Sequence, residues 1–525
     1  MLSKLFLVLL SSLISVQGVA IHNATSLEVR QNGNSKLVFA HFMIGITGNR
    51  GSSSDYDDDM TRAKALGIDA FALNIATGQE RQVQFAYDSA AAKGMKVFIS
   101  FDCNFYQPGS EGLIGSTISQ FASHPAQLRV DNKAFVSTFI GDNLNVNAIR
   151  AAAGGEIYFA PNFHPGAADF GPLDGALNWG GWQSNGNNKA PSNGVLVTVQ
   201  SGDQAYRSNL GGKGYIAPLS PWFFTHFGGE VSYSKNWVFP SDLLLYRRWL
   251  DILTLQPTFV EIVTWNDYGE SHYIGPLSAK HTDDGASKWV NDMYVFRAIY
   301  AFGSTKELST VYRPHTGWSD LSKPFIAAYK AGSTSVQPFI TDEKIIYWYR
   351  ITPKSLNCDS TDTTMGPGNN STGDFFNGRP NGFDTMADNI FVVSLLKSAG
   401  TVTVNSGGTL YTFNAPAGSS AFAVPFKIGS QQFALVRGGN QVMAETSLKV
   451  VQNTCPCGLY NFNAYVGTVP AGQRDVLSTG DSLAAFRNGL KVACDPAPSL
   501  PATPPTTTAI TTTITATAAP TSPPV

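Results

Sequence analysis

Charge is what this sequence has least of. Asp, Glu, Lys and Arg make up 14% of its 525 residues, against about 25% in ordinary soluble domains. The balance is a net −2. No basic field exists to hold nucleic acid, and no polybasic patch to hold an anionic membrane. Cysteine is scarce too, with only Cys103, Cys358, Cys455, Cys457 and Cys494. None of them falls in a CxxC pair or a Cys/His cluster of zinc spacing, so no metal is expected. The GG pairs match neither a phosphate loop nor a dinucleotide turn, and no GxSxG elbow occurs. No cofactor is expected either. Beyond the first twenty residues no apolar run approaches the roughly 18 residues of a membrane span. A weakly charged, polar surface is left, and its natural partner is a neutral polar ligand such as a sugar.

What is present is a large apolar inventory. Hydrophobic residues reach 43% and aromatic residues 12%, which argues against disorder. The length exceeds one ordinary core of about 100–200 residues, so two folded units are expected. Residues 1–20 read as a secretory signal, with Lys4 as the positive end, Leu5 to Val16 as the apolar stretch and Gly18-Val19-Ala20 as the cleavage site. The mature chain is then secreted, to the extracellular space or the cell wall, and disulfides become plausible among the last four cysteines, in three possible connectivities. Asn23, Asn369 and Asn370 sit in N-glycosylation sequons. Residues 496–525 are almost entirely Thr, Pro, Ala and Ser with no charged side chain, a composition typical of an O-glycosylated, disordered tail.

Residues 37–323 alternate β-rich runs with helical patterns. The runs are Leu37–Gly45, Ile68–Ala76, Lys96–Asp102, Ala134–Asp142, Ile157–Phe163, Gly175–Trp182, Gly214–Trp222 and Phe259–Asp267. Eight such units over about 250 residues predict a (β/α)8 barrel. The sixth run, rich in Gly and Trp, is the least strand-like. From Pro324 to Asp495 short β-branched and aromatic runs between turns predict a β-sandwich.

A barrel of this kind carries its active site at the C-terminal strand ends. Those ends offer His41, Asn74, Asp102, Asn162, Trp179, Trp182 and Trp222 as candidate substrate contacts. Carboxylates transfer protons, amides bond sugar hydroxyls, and indoles stack on apolar sugar faces. The densest signal is EIVTWNDYGESHYIG, residues 261–275. If Asp267 faces the mouth, period-two alternation puts Trp265, Val263 and Glu261 on the same side, which adds Trp265 to the contacts. Glu270 follows on the loop leaving the strand. Three residues allow the roughly 6.5–9.5 Å between the carboxyls of an inverting glycosidase without requiring it. The acidic run Asp57-Asp58-Asp59 reads as a helix start with a solvated face.

HFMIG, the DYDDDMTRAKALGIDAFALNI block, FISFD, YFAPNF, APLSPWFFTHF and VTWNDYGESHYIGP resemble glycoside hydrolase family 71, the fungal endo-α-1,3-glucanases also called mutanases. The likeness runs from Leu37 to Asp495. It implies hydrolysis of α-1,3-glucan with inversion, on a catalytic barrel joined to a β-sandwich, with Asp267 and Glu270 as the catalytic acids. One carboxylic acid protonates the glycosidic oxygen while the other carboxylate deprotonates the attacking water. Glu270 is favoured as acid and Asp267 as base, although no pKa is legible at this level and the roles are exchangeable. A monomer is expected, with α-1,3-glucan as partner. Two other readings stay open, a barrel glycosidase for another α-glycan and a non-catalytic carbohydrate-binding protein.

Overall fold

The computed structural model describes residues 36–186, 189–192, 194–227, 235–282, 287–290, 295–296, 309–310, 313–362 and 378–472. The expected leader, the sequons at Asn23, Asn369 and Asn370, Cys494 and the expected Thr/Pro tail lie outside them.

All eight expected runs form strands. They are β1 Leu37–Met43, β2 Ala70–Ile75, β3 Lys96–Asp102, β4 Lys133–Phe139, β5 Ile157–Phe159, β6 Gly175–Leu177, β7 Gly214–Leu219 and β8 Phe259–Ile262. They pair in parallel in the order β5-β4-β3-β2-β1-β8-β7-β6. The two edge strands approach one another: Asp174 N–H donates to the Phe159 carbonyl at 3.0 Å, and Leu177 N–H to the Pro161 carbonyl at 2.9 Å. The sheet is therefore strongly curled. Helices α1 Asp57–Leu66, α2 Glu80–Lys93, α3 Glu111–Phe121, α4 Val146–Ala153, α5 Val199–Leu210 and α6 Leu244–Leu255 lie between strands in the chain. Three aspartates open α1 and Lys64 stands in its last turn, each matched to the helix dipole. Gly67 ends it at a φ of 92°, a left-handed conformation natural to glycine.

Alternation along the strands sorts two faces. Val38, Ala40, Phe42, Phe71, Leu73, Val97, Ile99, Val260 and Ile262 join the apolar layer shared with the helices. Phe39, Phe98, Phe135, Tyr158 and Phe259 fill the interior of the curl, with Phe39 and Phe98 edge to face at 5.0 Å. Nearer the C-terminal ends, the same inner face carries His41, Asn74, Ser100, Asp102 and Glu261.

The C-terminal region is β-rich. Its strands are β9 Lys344–Tyr349, β10 Asn389–Leu396, β11 Gly400–Ser406, β12 Thr409–Ala415, β13 Gly418–Pro425, β14 Gln431–Arg437, β15 Asn440–Thr446 and β16 Tyr465–Val469. They form two antiparallel sheets, β13-β10-β9-β16 and β12-β11-β14-β15. Tyr347 of the first stacks on Phe433 of the second at 3.7 Å in a shared apolar core.

The expected boundary at Pro324 falls inside one helix, α7 Thr316–Lys330. A proline usually ends a helix, but here buried packing holds both sides of it. Trp249 of α6 donates to Ser322 Oγ at 3.0 Å and its ring stacks on Phe325, while Gly317 abuts Val466 of β16. The helix thus belongs to both regions. Trp222 Nε1 donates to the Phe462 carbonyl at 3.0 Å across the same junction. Of the cysteines, Cys358 and Cys455 are bonded across 97 residues of sequence, and Cys103 is a buried free thiol. No helix among the described residues is long and apolar enough to cross a membrane.

Closing a loop of that length removes much denatured-state entropy. Cys358→Ala or Cys455→Ala should lower unfolding stability by about 2–4 kcal/mol in urea, and an unchanged midpoint would show that the bond does not hold the region.

Candidate active site

The polar part of the inner face is built from neighbouring strands. His41 Nδ1 lies 2.8 Å from Glu261 Oε1, and both side chains are fully buried. Asp102 is half-buried and accepts from Asn104 N and Nδ2, both at 2.9 Å. Burial pushes its carboxyl above the ordinary value, against the lowering effect of the Asn104 bonds and of His41.

Beyond β8 the alternation breaks. The Asp267 N–H donates to Thr264 Oγ1 at 2.8 Å, and the Glu270 N–H donates to Asp267 Oδ1 at 2.9 Å. Ser271 sits at a φ of 62°, a left-handed conformation that costs a non-glycine residue about 1–3 kcal/mol and recurs at functional sites. Glu270 and His272 flank it and meet, His272 Nε2 to Glu270 Oε2 at 2.8 Å. His272 Nε2 is also 3.9 Å from Asp267 Oδ2. Lys235, on the hairpin strand Lys235–Val238, contacts Glu270 Oε1, and Phe224 N–H of the partner strand donates to the Glu270 carbonyl at 3.0 Å. The two carboxylates found from sequence are therefore brought together, with a histidine and a lysine that were not foreseen. His272 stood in the motif itself, ten residues past the end of β8. Lys235 is more than thirty positions away and left no local signal.

His272 is enclosed by Trp182 at 5.3 Å and Phe223 at 5.6 Å between ring centres. Burial pushes its imidazole down to about 4, which Asp267 opposes and Lys235 reinforces. A carboxylate oxygen from each acid and one His272 nitrogen lie within 4.8 Å of one another, close enough to chelate a cation. The Lys235 ammonium already supplies a positive charge at Glu270.

The other expected contacts divide. Trp179 remains half-buried, standing edge to face on His41 at 4.7 Å and on Phe139 at 4.8 Å. Asn74 is on the inner face and buried. Trp265 does not share the face of Asp267: the strand ends at Ile262, and its indole is buried in the helix layer, donating to Asp59 Oδ1 at 2.8 Å. Asp59 is thereby buried as well, paired with Arg50 at 2.8 Å, while only Asp57 and Asp58 form the partly solvated face expected of the acidic run. Trp222 is fully buried at the junction. Trp182 is buried, donates to the Trp222 carbonyl at 2.9 Å and stacks on Phe239; it walls in His272 rather than offering a ring to a ligand. Asn162 is spent on structure, with Nδ2 on the Leu177 carbonyl and Tyr206 Oη and Oδ1 on Ile140 N–H. These residues share one cause. Each polar atom was legible as a bonding group, but the neighbour that consumes it was not. Phe105, 56% exposed in the turn after Asp102, is an aromatic at the rim that the sequence reading passed over.

Residues 34–478 match the family model for glycosyl hydrolase family 71. A mutanase of Penicillium rubens is 39% identical over 453 residues, spanning 85% of this chain and 91% of its own. A glucan endo-1,3-α-glucosidase of Schizosaccharomyces pombe is 34% identical over 89% of this chain and 99% of its own. An ascus wall endo-1,3-α-glucanase of the same yeast is 28% identical over 82% and 96%.

The depressed histidine fixes a pH dependence. Unfolded, His272 binds a proton below about pH 6.5; native, only below about pH 4. The unfolded state is therefore favoured as pH falls through that window, by on the order of 2–3 kcal/mol. Urea unfolding at pH 7 and 4.5 should show a smaller loss for His272→Gln than for the parent chain, and equal losses would remove the histidine from the account.

Proposed function

This chain belongs to glycosyl hydrolase family 71 and is a glycoside hydrolase, and on that ground we propose that it hydrolyses the α-1,3-glucosidic bonds of fungal cell-wall glucan from within the chain. The observation that carries the reading is the turn after β8, where Asp267 and Glu270 converge on His272 at the C-terminal end of a parallel, curled sheet. The names of the relatives support the substrate. So does the weakly charged surface, which suits a neutral polysaccharide. The eight parallel strands and the hydrogen bonds between the edges support a (β/α)8 catalytic barrel, and the two stacked antiparallel sheets support a β-sandwich behind it. We further propose secretion, supported by the leader-like first twenty residues and by a disulfide suited to an oxidising compartment.

In this mechanism one acid protonates the glycosidic oxygen and one carboxylate acts as anion. An ammonium and an imidazole both face Glu270, an environment that suits the anion, so Asp267 is left to carry the proton. This reverses the split favoured from sequence. Trp179 offers a sugar platform, while Asp102 and Asn74 lie on the inner face of the sheet. Inversion is the outcome the family resemblance implies, and it needs roughly 6.5–9.5 Å between the carboxyl groups for a water to enter. Oxygens within 4.8 Å of one another favour a second reading, retention, in which a pair about 5–5.5 Å apart forms a covalent glycosyl-enzyme. Glu270 is then the nucleophile and Asp267 still the acid.

Proton NMR of the first minutes of α-1,3-glucan digestion separates the two. A β-anomer released first means inversion, an α-anomer retention. Asp267→Asn and Glu270→Gln should each lose at least about 100-fold in kcat. On a dinitrophenyl glycoside, whose leaving group needs no proton, Asp267→Asn should recover most of its rate and Glu270→Gln should not. The opposite recovery would restore the first assignment of roles. No product from the parent chain would point to a different α-glycan or to a binding protein.

A further inference from the structure

The buried pair His41 and Glu261 is satisfied poorly for a purely structural element. One bond of 2.8 Å joins them, and the remaining His41 Nε2 and Glu261 Oε2 are buried with no hydrogen-bond partner. Both side chains are fully enclosed. Taking two ionisable groups from water and leaving an atom of each unpaired is costly, and an apolar pair of similar volume would pack there at least as stably. Nor can the pair touch a ligand directly in this arrangement, because neither side chain is exposed.

What it touches is Trp179, and Trp179 differs from the other tryptophans of the predicted rim. Trp182, Trp222 and Trp265 each spend the indole N–H on a protein acceptor. Trp179 makes no such bond among the described residues, stays only half-buried, and meets the rings of His41 and Phe139 edge to face while packing against the apolar clusters on either side. Among the described residues, Glu261 makes the one side-chain hydrogen bond to the His41 ring. The three come from β1, β8 and the segment after β6, so the contact reaches across the interior of the curl.

We propose that His41 and Glu261 are positioning residues that set the orientation of Trp179 as the floor of a glucosyl subsite. They act through the indole rather than on the sugar. The Glu261 carboxylate accepts a hydrogen bond from the Nδ1–H of His41 and so fixes the ring plane. The edge-to-face contact then holds the indole with its free N–H and exposed ring available to a hydroxyl and an apolar face of one glucose unit. The inference rests on the reading of Trp179 as a sugar platform.

A double-mutant cycle on a soluble α-1,3-gluco-oligosaccharide tests both layers. Trp179→Ala should raise KM about 10-fold or more, and an unchanged KM would overturn the platform itself. His41→Phe and Glu261→Leu should each raise KM about 3- to 10-fold with kcat changed less than about 2-fold, the size of a lost aromatic orientation. In the Trp179→Ala background the same substitutions should change KM by less than about 1.5-fold, because there is no indole left to orient. Glu261→Gln, which keeps an acceptor for Nδ1, should restore most of the parent KM. If Trp179→Ala raises KM but His41→Phe acts equally in both backgrounds, or lowers kcat alone, the positioning role is wrong while the platform stands. Melting temperatures of the variants separate loss of fold from loss of orientation: a Glu261→Gln protein that melts like the parent but binds like Glu261→Leu would also overturn it.

Discussion

Burial on both faces is the constraint from which the rest of this molecule follows. A parallel strand covered on one side by helices and on the other by a curled interior must send every side chain into one apolar environment or the other. Phe39, Phe98, Phe135 and Phe259 meet the inner demand, and Val38, Val97, Val260 and their neighbours the outer one. The interior then has little room for polarity, and where polarity appears it gathers at the C-terminal strand ends, as His41, Asn74, Ser100, Asp102 and Glu261. The same burial drives His272 to its neutral form and raises the Asp102 carboxyl. One packing rule thus sets both where the polar groups stand and how they hold protons.

The C-terminal region is part of that arrangement rather than an appendage. Trp289 Nε1 donates to the carbonyl of Tyr268, inside the turn between the two acids, at 2.9 Å. The Trp289 carbonyl in turn accepts from Asn461 and Asn463 just ahead of β16. His315 stacks on Tyr273 at 3.8 Å and reaches the Ala464 carbonyl, while Arg313 donates to the Asn463 carbonyl. The hairpin that bears Lys235 is held from the same side, through His226 to Asp362 at 2.7 Å and through Val238 N–H to the Asn381 carbonyl at 2.9 Å. Asp362 lies four residues from the disulfide-bonded Cys358. The turn with the two carboxylates is therefore braced by buried polar bonds from a region distant in sequence, which explains why α7 runs through the expected boundary without a break.

Legibility follows the range of the interaction. Eight strands were readable because each is a run of β-branched and aromatic residues, and even the three-residue β6 kept its place in the order. Asp267 and Glu270 were readable because three positions of chain keep them together whatever the fold does. Trp265 was misplaced because alternation was carried past Ile262, where the strand ends. Asn162, Trp182 and Trp222 were overvalued because a bonding group looks the same in sequence whether a backbone carbonyl consumes it or a ligand does. Lys235 could not be found at all, since nothing in its own neighbourhood distinguishes it from a surface lysine.

By itself the sequence determined the family likeness, the eight parallel strands and the closeness of Asp267 to Glu270, because composition, period and short spacing are properties of a chain before it folds. Only the tertiary structure decided which of those groups remain free. It assigned Glu270 a lysine and a histidine, set Glu261 on His41 beneath Trp179, and consumed four of the expected sugar contacts in packing. Such assignments depend on which atoms the fold brings together, some of them from more than two hundred residues apart, and on the cost of leaving a buried polar atom unpaired, neither of which any local pattern encodes.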